Sequence, residues 1–191
     1  MKPSVLLIDN HDSFTYNLAQ LLDQSGLCKW EIFTSGMLGL SKVKPFDKVI
    51  FSPGPGIPSE RPLMFEVLQE YASTKSILGV CLGHQAIVEY YGGRLMNLPG
   101  VVHGIRQEII ITEPVDTIFS GLPLVFHAGL YHSWAADDFF LPACLRITAR
   151  NKNGVVMSVV HEQFDIRGVQ FHPESYMTEF GQEIINNWLK L

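Results

Sequence analysis

Residues 77–91 have the sequence ILGVCLGHQAIVEYY, which predicts a buried strand, a sharp turn and a helix in succession. The apolar run 77–80 is typical of a buried strand, and the helix expected at 84–91 meets a glycine stop at Gly92-Gly93. Cys81 lies at the junction, with a glycine two residues away on each side. This is the thiol version of the G-x-S-x-G turn, where a nucleophile sits on a strained strand-to-helix connection.

The alternation of short strands and helices extends toward the N-terminus. Apolar runs at 5–8, 30–33 and 49–52 predict three further strands, and apolar residues at helical spacing follow the first and the third of them. Asp12 and Ser13 are candidate N-caps of the first helix, and Gly26 is its expected stop. Such βαβ units wind a mostly parallel sheet.

The second half of the chain has a different pattern. Strand-like segments separated by turn residues occur at 109–112, 125–127, 146–149, 155–160 and 168–171, and a last amphipathic helix covers 180–189. We therefore predict one α/β domain, residues 1–191, with a mostly parallel open sheet flanked by helices and additional antiparallel strands in the C-terminal half. Residues 131–134, a tyrosine, histidine, serine and tryptophan, are expected to form a polar-aromatic loop.

Composition excludes several classes of function. The 191 residues are 47% hydrophobic and 17% charged, which suits one folded domain, and the formal net charge of -5 argues against a nucleic-acid partner. The apolar run at 5–8 is too short for a signal peptide or a membrane span, so we expect a cytoplasmic protein with no membrane partner. The three cysteines lack the spacing of a disulfide framework or a zinc site; Cys28 and Cys144 are expected to be buried free thiols.

A thiol nucleophile needs a group that transfers protons, and His172 is the candidate among seven histidines. It follows the predicted strand 168–171, and carboxyl ends of parallel strands form the ligand-binding edge of such sheets. Pro173 favours extended backbone at His172, so Glu174 can point the same way and orient the imidazole. Cys81, His172 and Glu174 thus form a candidate catalytic triad. Spacing provides neither a zinc-deaminase site nor any other metal site, so no metal or cofactor is expected.

A third segment, 52–58 (SPGPGIP), is a stiff turn after the third strand, on the same sheet edge as Cys81. It matches neither a phosphate-binding loop nor a dinucleotide fingerprint. It is either a rigid connection or a fixed backbone that aims an N–H, most simply that of Gly56, at an oxyanion beside Cys81.

Together these segments closely resemble the class I (triad) glutamine amidotransferases, in particular the glutaminase subunits (component II) of anthranilate and aminodeoxychorismate synthases. The resemblance spans nearly the whole chain and is carried by residues 8–18 (IDNHDSFTYNL), 52–56 (SPGPG), 79–85 (GVCLGHQ) and 168–175 (GVQFHPES). It implies a flavodoxin-like fold, with Cys81 as nucleophile and His172 and Glu174 as its partners.

The resemblance also implies how L-glutamine is held. The Gly54-Pro55-Gly56 turn lines the substrate site, Gly56 and Leu82 supply the oxyanion N–H groups, and Gln85 and the backbone of Ser133 and Trp134 bind glutamine. Two positions depart from the family pattern, since Ile105 and Leu130 stand where basic residues are common. We expect Arg106 to be the nearest replacement for the missing lysine charge.

The implied function is hydrolysis of L-glutamine to glutamate, with ammonia supplied to a chorismate-binding synthase subunit (component I). Two alternatives stay open at this point. One is a free-standing thiol amidase such as a γ-glutamyl hydrolase, and the other is a non-catalytic regulatory subunit. The sequence does not separate anthranilate from aminodeoxychorismate synthesis.

Overall fold

This computed structural model describes residues 2–37, 39–113 and 116–191, and within them nine strands form one mixed sheet. In chain order the strands are β1 (Ser4–Asp9), β2 (Lys29–Thr34), β3 (Lys48–Phe51), β4 (Ser76–Val80), β5 (Leu95–Ile111), β6 (Val125–Ala136), β7 (Leu145–Asn151), β8 (Val156–His161) and β9 (Ile166–Val169). Their order across the sheet is β2-β1-β3-β4-β9-β8-β7-β5-β6. The first five in that order are parallel, and the remaining pairings are antiparallel. The predicted fold class is confirmed.

In the described residues, four α-helices cover the two faces of the sheet: α1 (Thr15–Ser25), α2 (Pro62–Tyr71), α3 (Leu82–Tyr90) and α4 (Gly181–Leu189). Helices α1 and α4 contact each other, and so do α2 and α3. Successive side chains of β1 point to opposite faces of the sheet, as is usual along a strand. Val5 and Leu7 pack into the core with α1 and α4, whereas Leu6 and Ile8 pack into the core with α2 and α3.

The starts of two helices differ from the predicted positions. Helix α3 begins at Leu82, directly after Cys81. Helix α1 begins at Thr15 with Phe14 as its N-cap residue, so the prediction of Asp12 or Ser13 as the cap is wrong. The Asp12 carboxylate accepts a hydrogen bond from the Phe14 N–H at 2.7 Å and thereby stabilises the turn that precedes the helix. The predicted stop at Gly26 is confirmed by its left-handed backbone, φ 60°.

The largest difference lies in the β5–β6 hairpin. β5 is a 17-residue strand, longer than the predicted segment, and the expected loop at 131–134 is wrong because those residues lie within β6. The pairing of β5 with β6 shifts register between Asn97 and Val102 and again between His103 and Ile105. Such irregularities add unpaired residues and interrupt the alternation of polar and apolar side chains that a strand prediction depends on.

Candidate active site

The turn that carries Cys81 is strained and tightly packed. Cys81 has φ 51° and ψ −99°, a conformation that costs about 1–3 kcal/mol for a residue other than glycine. The glycines on either side are needed for packing. A Cβ on Gly79 would lie 2.4 Å from the backbone of Gly83, and one on Gly83 would lie 2.6 Å from the Phe51 carbonyl oxygen. The two glycines therefore let the first turn of α3 approach β3 and β4.

This turn places the sulfur of Cys81 at the N-terminus of α3, with the residue 6% exposed. Its backbone is fixed on both sides, because the Cys81 N–H donates to the Val169 carbonyl at 2.8 Å and the Gln85 N–H donates to the Cys81 carbonyl at 3.0 Å. The first N–H groups of a helix have no partners within the helix and carry partial positive charge. An anion at this position, such as a thiolate, is favoured.

His172 and Glu174 form a buried pair. Nδ1 of His172 lies 2.7 Å from Oε1 of Glu174, and both side chains are almost fully buried. Burial alone would lower the pKa of His172, but the Glu174 carboxylate and the Cys81 sulfur together raise that pKa well above its ordinary value. His172 follows β9 and is held by its own N–H, which donates to the Gly129 carbonyl at 3.1 Å.

Cys81 and His172 lie next to each other. Both line one cavity of about 450 Å³, and the sulfur is close enough to the ring to raise the pKa of the imidazole. Nε2 of His172 is buried without a well-aligned hydrogen bond among the described residues, so this nitrogen is free to interact with the sulfur or with a reacting group. The structure thus brings the three predicted triad residues together.

Two aromatic rings hold the imidazole edge-on. The ring centroids of Phe14 and Tyr131 lie 5.4 and 4.9 Å from that of His172, and the Tyr131 hydroxyl lies 3.1 Å from Oγ of Ser175. These contacts fix the plane of the ring in addition to the bond to Glu174.

The two predicted oxyanion donors lie beside Cys81. Leu82 is the first residue of α3, and Gly56 and Leu82 line the same cavity as Cys81. Gly56 has φ +84°, and a Cβ there would lie 1.9 Å from a carboxylate oxygen of Glu60. The backbone conformation therefore favours glycine at position 56, whereas the Glu60 side chain is flexible and could turn away from a Cβ.

Eight of the ten predicted site residues line one cavity of about 210 Å³: Gly54, Pro55, Gly56, Cys81, Leu82, Gln85, Ser133 and Trp134. This volume is below the range of about 300–1,000 Å³ typical of pockets for drug-sized ligands, which points to a small metabolite. Ser133 has no registered partner on β5, because the pairing passes from Asn97 and Trp134 directly to Val102 and His132. Ser133 thus lies at the wall of the cavity, at the point where the pairing of β6 with β5 is interrupted.

Polar residues behind the cavity had no predicted role. Gln170 is fully buried and donates from Nε2 to the Cys81 sulfur at 3.5 Å. Sequence contained a signal for it, since Gln170 is the polar residue in an apolar strand and lies two positions before His172, on the same strand face. His132, from the segment predicted as a loop, lines the cavity and is held at Nδ1 by the Trp134 carbonyl at 2.9 Å.

His84 has no proton-transfer role in this arrangement. It is fully buried, and burial, with a smaller contribution from His132, lowers its pKa to about 3, so the ring is neutral near pH 7. A Cβ on Gly168 would lie 2.6 Å from Nδ1 of His84, which shows how closely the His84 ring packs on β9.

The two departures from the family pattern are cross-strand partners, since Ile105 on β5 pairs with Leu130 on β6. Leu130 is buried, and Ile105 is exposed. Arg106 forms an ion pair with Glu179, so its charge is partly neutralised.

The predicted burial of the remaining thiols is wrong, because Cys28 and Cys144 are both only half-buried, although all three cysteines are free.

In the part of the chain that the structure describes, no group of three or more histidine, cysteine or acidic side chains could hold a metal ion. No helix in the described ranges is long and apolar enough to cross a membrane.

A strained thiol at a helix N-terminus, beside a buried histidine–carboxylate pair on an open α/β sheet, has the geometry of a thiol hydrolase triad. Residues 6–191 match the family model described as "Glutamine amidotransferase class-I". The chain belongs to this family, as the resemblance implied.

Two relatives with assigned names have nearly the same length as this chain. A candidate anthranilate synthase component II from Haemophilus influenzae is 42% identical over 98% of this chain and 96% of its own. An aminodeoxychorismate/anthranilate synthase component 2 from Bacillus subtilis is 37% identical over 97% of this chain and 95% of its own. Among solved structures, a candidate GMP synthase subunit from Thermoplasma acidophilum superposes with a TM-score of 0.88 at 21% identity, covering 100% of this chain and 94% of that one. This last similarity supports the fold alone.

Proposed function

We propose that residues 1–191 act as one glutaminase domain that hydrolyses L-glutamine to glutamate and supplies ammonia to a chorismate-aminating synthase subunit. The observation that carries the proposal is the juxtaposition of the Cys81 sulfur, at the N-terminus of α3, with the buried His172–Glu174 pair. Membership of the amidotransferase family and similarity to component II proteins support the choice of glutamine and of the partner.

In the proposed reaction the thiolate of Cys81 attacks the side-chain carboxamide carbon of glutamine. The carbonyl oxygen becomes an oxyanion that accepts hydrogen bonds from the N–H groups of Gly56 and Leu82, each worth about 3–4 kcal/mol in the transition state. The raised pKa of His172 keeps its ring protonated near neutral pH, so the ring can donate a proton to the departing nitrogen. Ammonia leaves, and a γ-glutamyl thioester remains on the sulfur.

The second half of the reaction reverses these roles. The neutral imidazole of His172 takes a proton from water, which attacks the thioester, and glutamate leaves as the thiolate is restored. Glu174 holds Nδ1 at 2.7 Å and stabilises the imidazolium in both halves. One glutamine and one water thus become one glutamate and one ammonia.

Gln85 and the β6 backbone are proposed to hold the substrate. The Gln85 side-chain N–H₂ donates to the Trp134 carbonyl and to Gln170, so its carbonyl oxygen remains as an acceptor at the cavity. An acceptor suits the α-ammonium group of an amino acid, and the backbone of Ser133 provides further polar groups on the same wall.

The partner and the compartment are part of the proposal. Ammonia released to bulk water would be protonated and diluted, so a synthase subunit that receives it directly is expected to bind beside the site. We propose component I of anthranilate or aminodeoxychorismate synthase as that subunit. Three free cysteines suit the reducing cytoplasm, and no nucleic-acid partner is expected at a net charge of -5.

The test compares glutamine with ammonium as the nitrogen source for a component I synthase in complex with this chain. Cys81→Ala is expected to abolish product formation from glutamine and leave product formation from ammonium unchanged. Cys144→Ala, which alters a half-buried thiol outside the site, is the control and should retain both activities. Glutamine use retained by Cys81→Ala would refute the assignment, and full turnover by the isolated chain, unchanged by the synthase, would indicate a free-standing amidase instead.

A further inference from the structure

A chain of hydrogen bonds connects the Cys81 sulfur to the wall of the substrate cavity. Nε2 of Gln170 lies 3.5 Å from the sulfur, and Oε1 of Gln170 lies 3.1 Å from Nε2 of Gln85. The same nitrogen of Gln85 donates to the Trp134 carbonyl at 2.8 Å, and that carbonyl also lies 2.9 Å from Nδ1 of His132. Gln85 and His132 are buried at the wall of the cavity, and Gln170 is fully buried, so this network is largely shielded from bulk water.

The direction of every hydrogen bond in this chain follows from one backbone atom. The Trp134 carbonyl can only accept, so the Gln85 amide must present its N–H₂ group there. That group has a second hydrogen, which points to Gln170, so Gln170 must present its carbonyl oxygen to Gln85. The N–H₂ group of Gln170 is then directed at the Cys81 sulfur. Side-chain amides are ordinarily ambiguous between their two orientations, and here the network removes the ambiguity.

The sheet register places Gln170 for this role. Val80 of β4 pairs with Val169 of β9, so Cys81 and Gln170 are the next residues at the carboxyl ends of neighbouring parallel strands. The Cys81 N–H bonds to the Val169 carbonyl at 2.8 Å, and the Gln170 N–H bonds to the Met157 carbonyl at 2.8 Å. The backbones at both ends of the contact are therefore fixed.

We propose that Gln170 is a positioning residue that directs an N–H donor at the Cys81 sulfur and stabilises its thiolate, with its own orientation set by Gln85 and the Trp134 carbonyl. This inference rests on the proposed role of Cys81 as the nucleophile. An N–H donor aimed at the sulfur favours the thiolate over the thiol, because a charged sulfur accepts a hydrogen bond more strongly than a neutral one. The network also couples the reactive sulfur to the wall that holds the substrate.

The test measures how the rate of alkylation of Cys81 by iodoacetamide depends on pH, with the modified peptide identified by mass spectrometry so that Cys28 and Cys144 do not interfere. Gln170→Met keeps the length of the side chain and removes the N–H. The pH of half-maximal alkylation rate is expected to rise by about one unit, with about a tenfold slower rate at pH values below it. Glutamine turnover should lose kcat about tenfold with KM nearly unchanged. Gln107→Met, at a half-buried hydrogen-bonded glutamine on β5, is the matched control.

A second variant covers the case in which Gln170→Met does not fold. Gln85→Met removes the group that orients Gln170, so it should shift the alkylation midpoint in the same direction by a smaller amount. A folded Gln170→Met protein with the wild-type midpoint would overturn the proposal and leave Gln170 as a packing residue. Alkylation does not require glutamine turnover, so this failure is distinct from failure of the glutaminase assignment, which the Cys81→Ala comparison tests.

Discussion

At the scale of single residues, the pairing of Glu174 with His172 gives the site its pH dependence. Oε1 of Glu174 bonds to the ring, and Oε2 is buried without a hydrogen-bond partner among the described residues. The carboxylate therefore acts mainly on one group, the imidazole. Because the pKa of His172 is raised on folding, its protonation stabilises the fold below about pH 6.5, and this contribution is lost as the pH rises through the folded-state pKa.

Glu174→Gln should lower the pKa of His172, since burial is then opposed by the Cys81 sulfur without the charge of the carboxylate. Glutaminase turnover is expected to fall at least about a hundredfold. The measurement is an NMR titration of the His172 ring beside a pH profile of turnover. Glu179→Gln, which changes an exposed carboxylate paired with Arg106, is the control. It should change neither the titration of His172 nor the pH profile of turnover. An unchanged His172 titration in Glu174→Gln would contradict the role given to the carboxylate.

At the scale of elements, packing of α3 on the sheet holds the nucleophile in place. Gly79 of β4 and Gly168 of β9 are register partners, and both lie under the first turn of α3. A Cβ on Gly79 would meet the backbone of Gly83 and His84, and backbone cannot move aside as a flexible side chain can. The absence of both side chains brings Cys81 close to the sheet edge where His172 lies.

Gly79→Ala should therefore destabilise the protein by about 1–3 kcal/mol and displace Cys81. Urea unfolding measures the first effect, and the rate of Cys81 alkylation measures the second. The matched control is Gly36→Ala, because a Cβ on Gly36 meets no atom within 4 Å. Equal stability of the two variants would show that α3 can shift without cost.

Elements also show what the sequence could predict and what it could not. The strands and helices of the parallel half follow from apolar runs and glycine stops, and the Cys81 turn follows from its two glycines. The polar and aromatic residues at 131–134 predict a loop, but they belong to β6. Ser133 lies opposite the register shift in β5, and such an irregularity interrupts the alternation that would indicate a strand. Gln170 has a local signal as a polar residue in a buried strand, but its partner Gln85 is 85 positions away and depends on the register of β4 with β9.

At the scale of the whole molecule, the order of strands creates the site. β9 inserts next to β4, although the two are separated in the chain by α3 and four antiparallel strands. This insertion brings positions 172 and 174 to the same sheet edge as position 81. Local periodicity predicts the strands but not their order, so the sequence indicated the triad through the family resemblance and through the chemistry that a thiol requires.

The central claim is that Cys81 is the nucleophile of a glutaminase, and a diazoketone analogue of glutamine tests it most directly. The intact protein is incubated with the analogue and the modified residue is located by mass spectrometry. The account predicts a single covalent adduct on Cys81, slowed by excess glutamine and absent in Cys81→Ala. An adduct confined to Cys28 or Cys144, or unmodified protein under conditions where a known glutaminase is labelled, would contradict it.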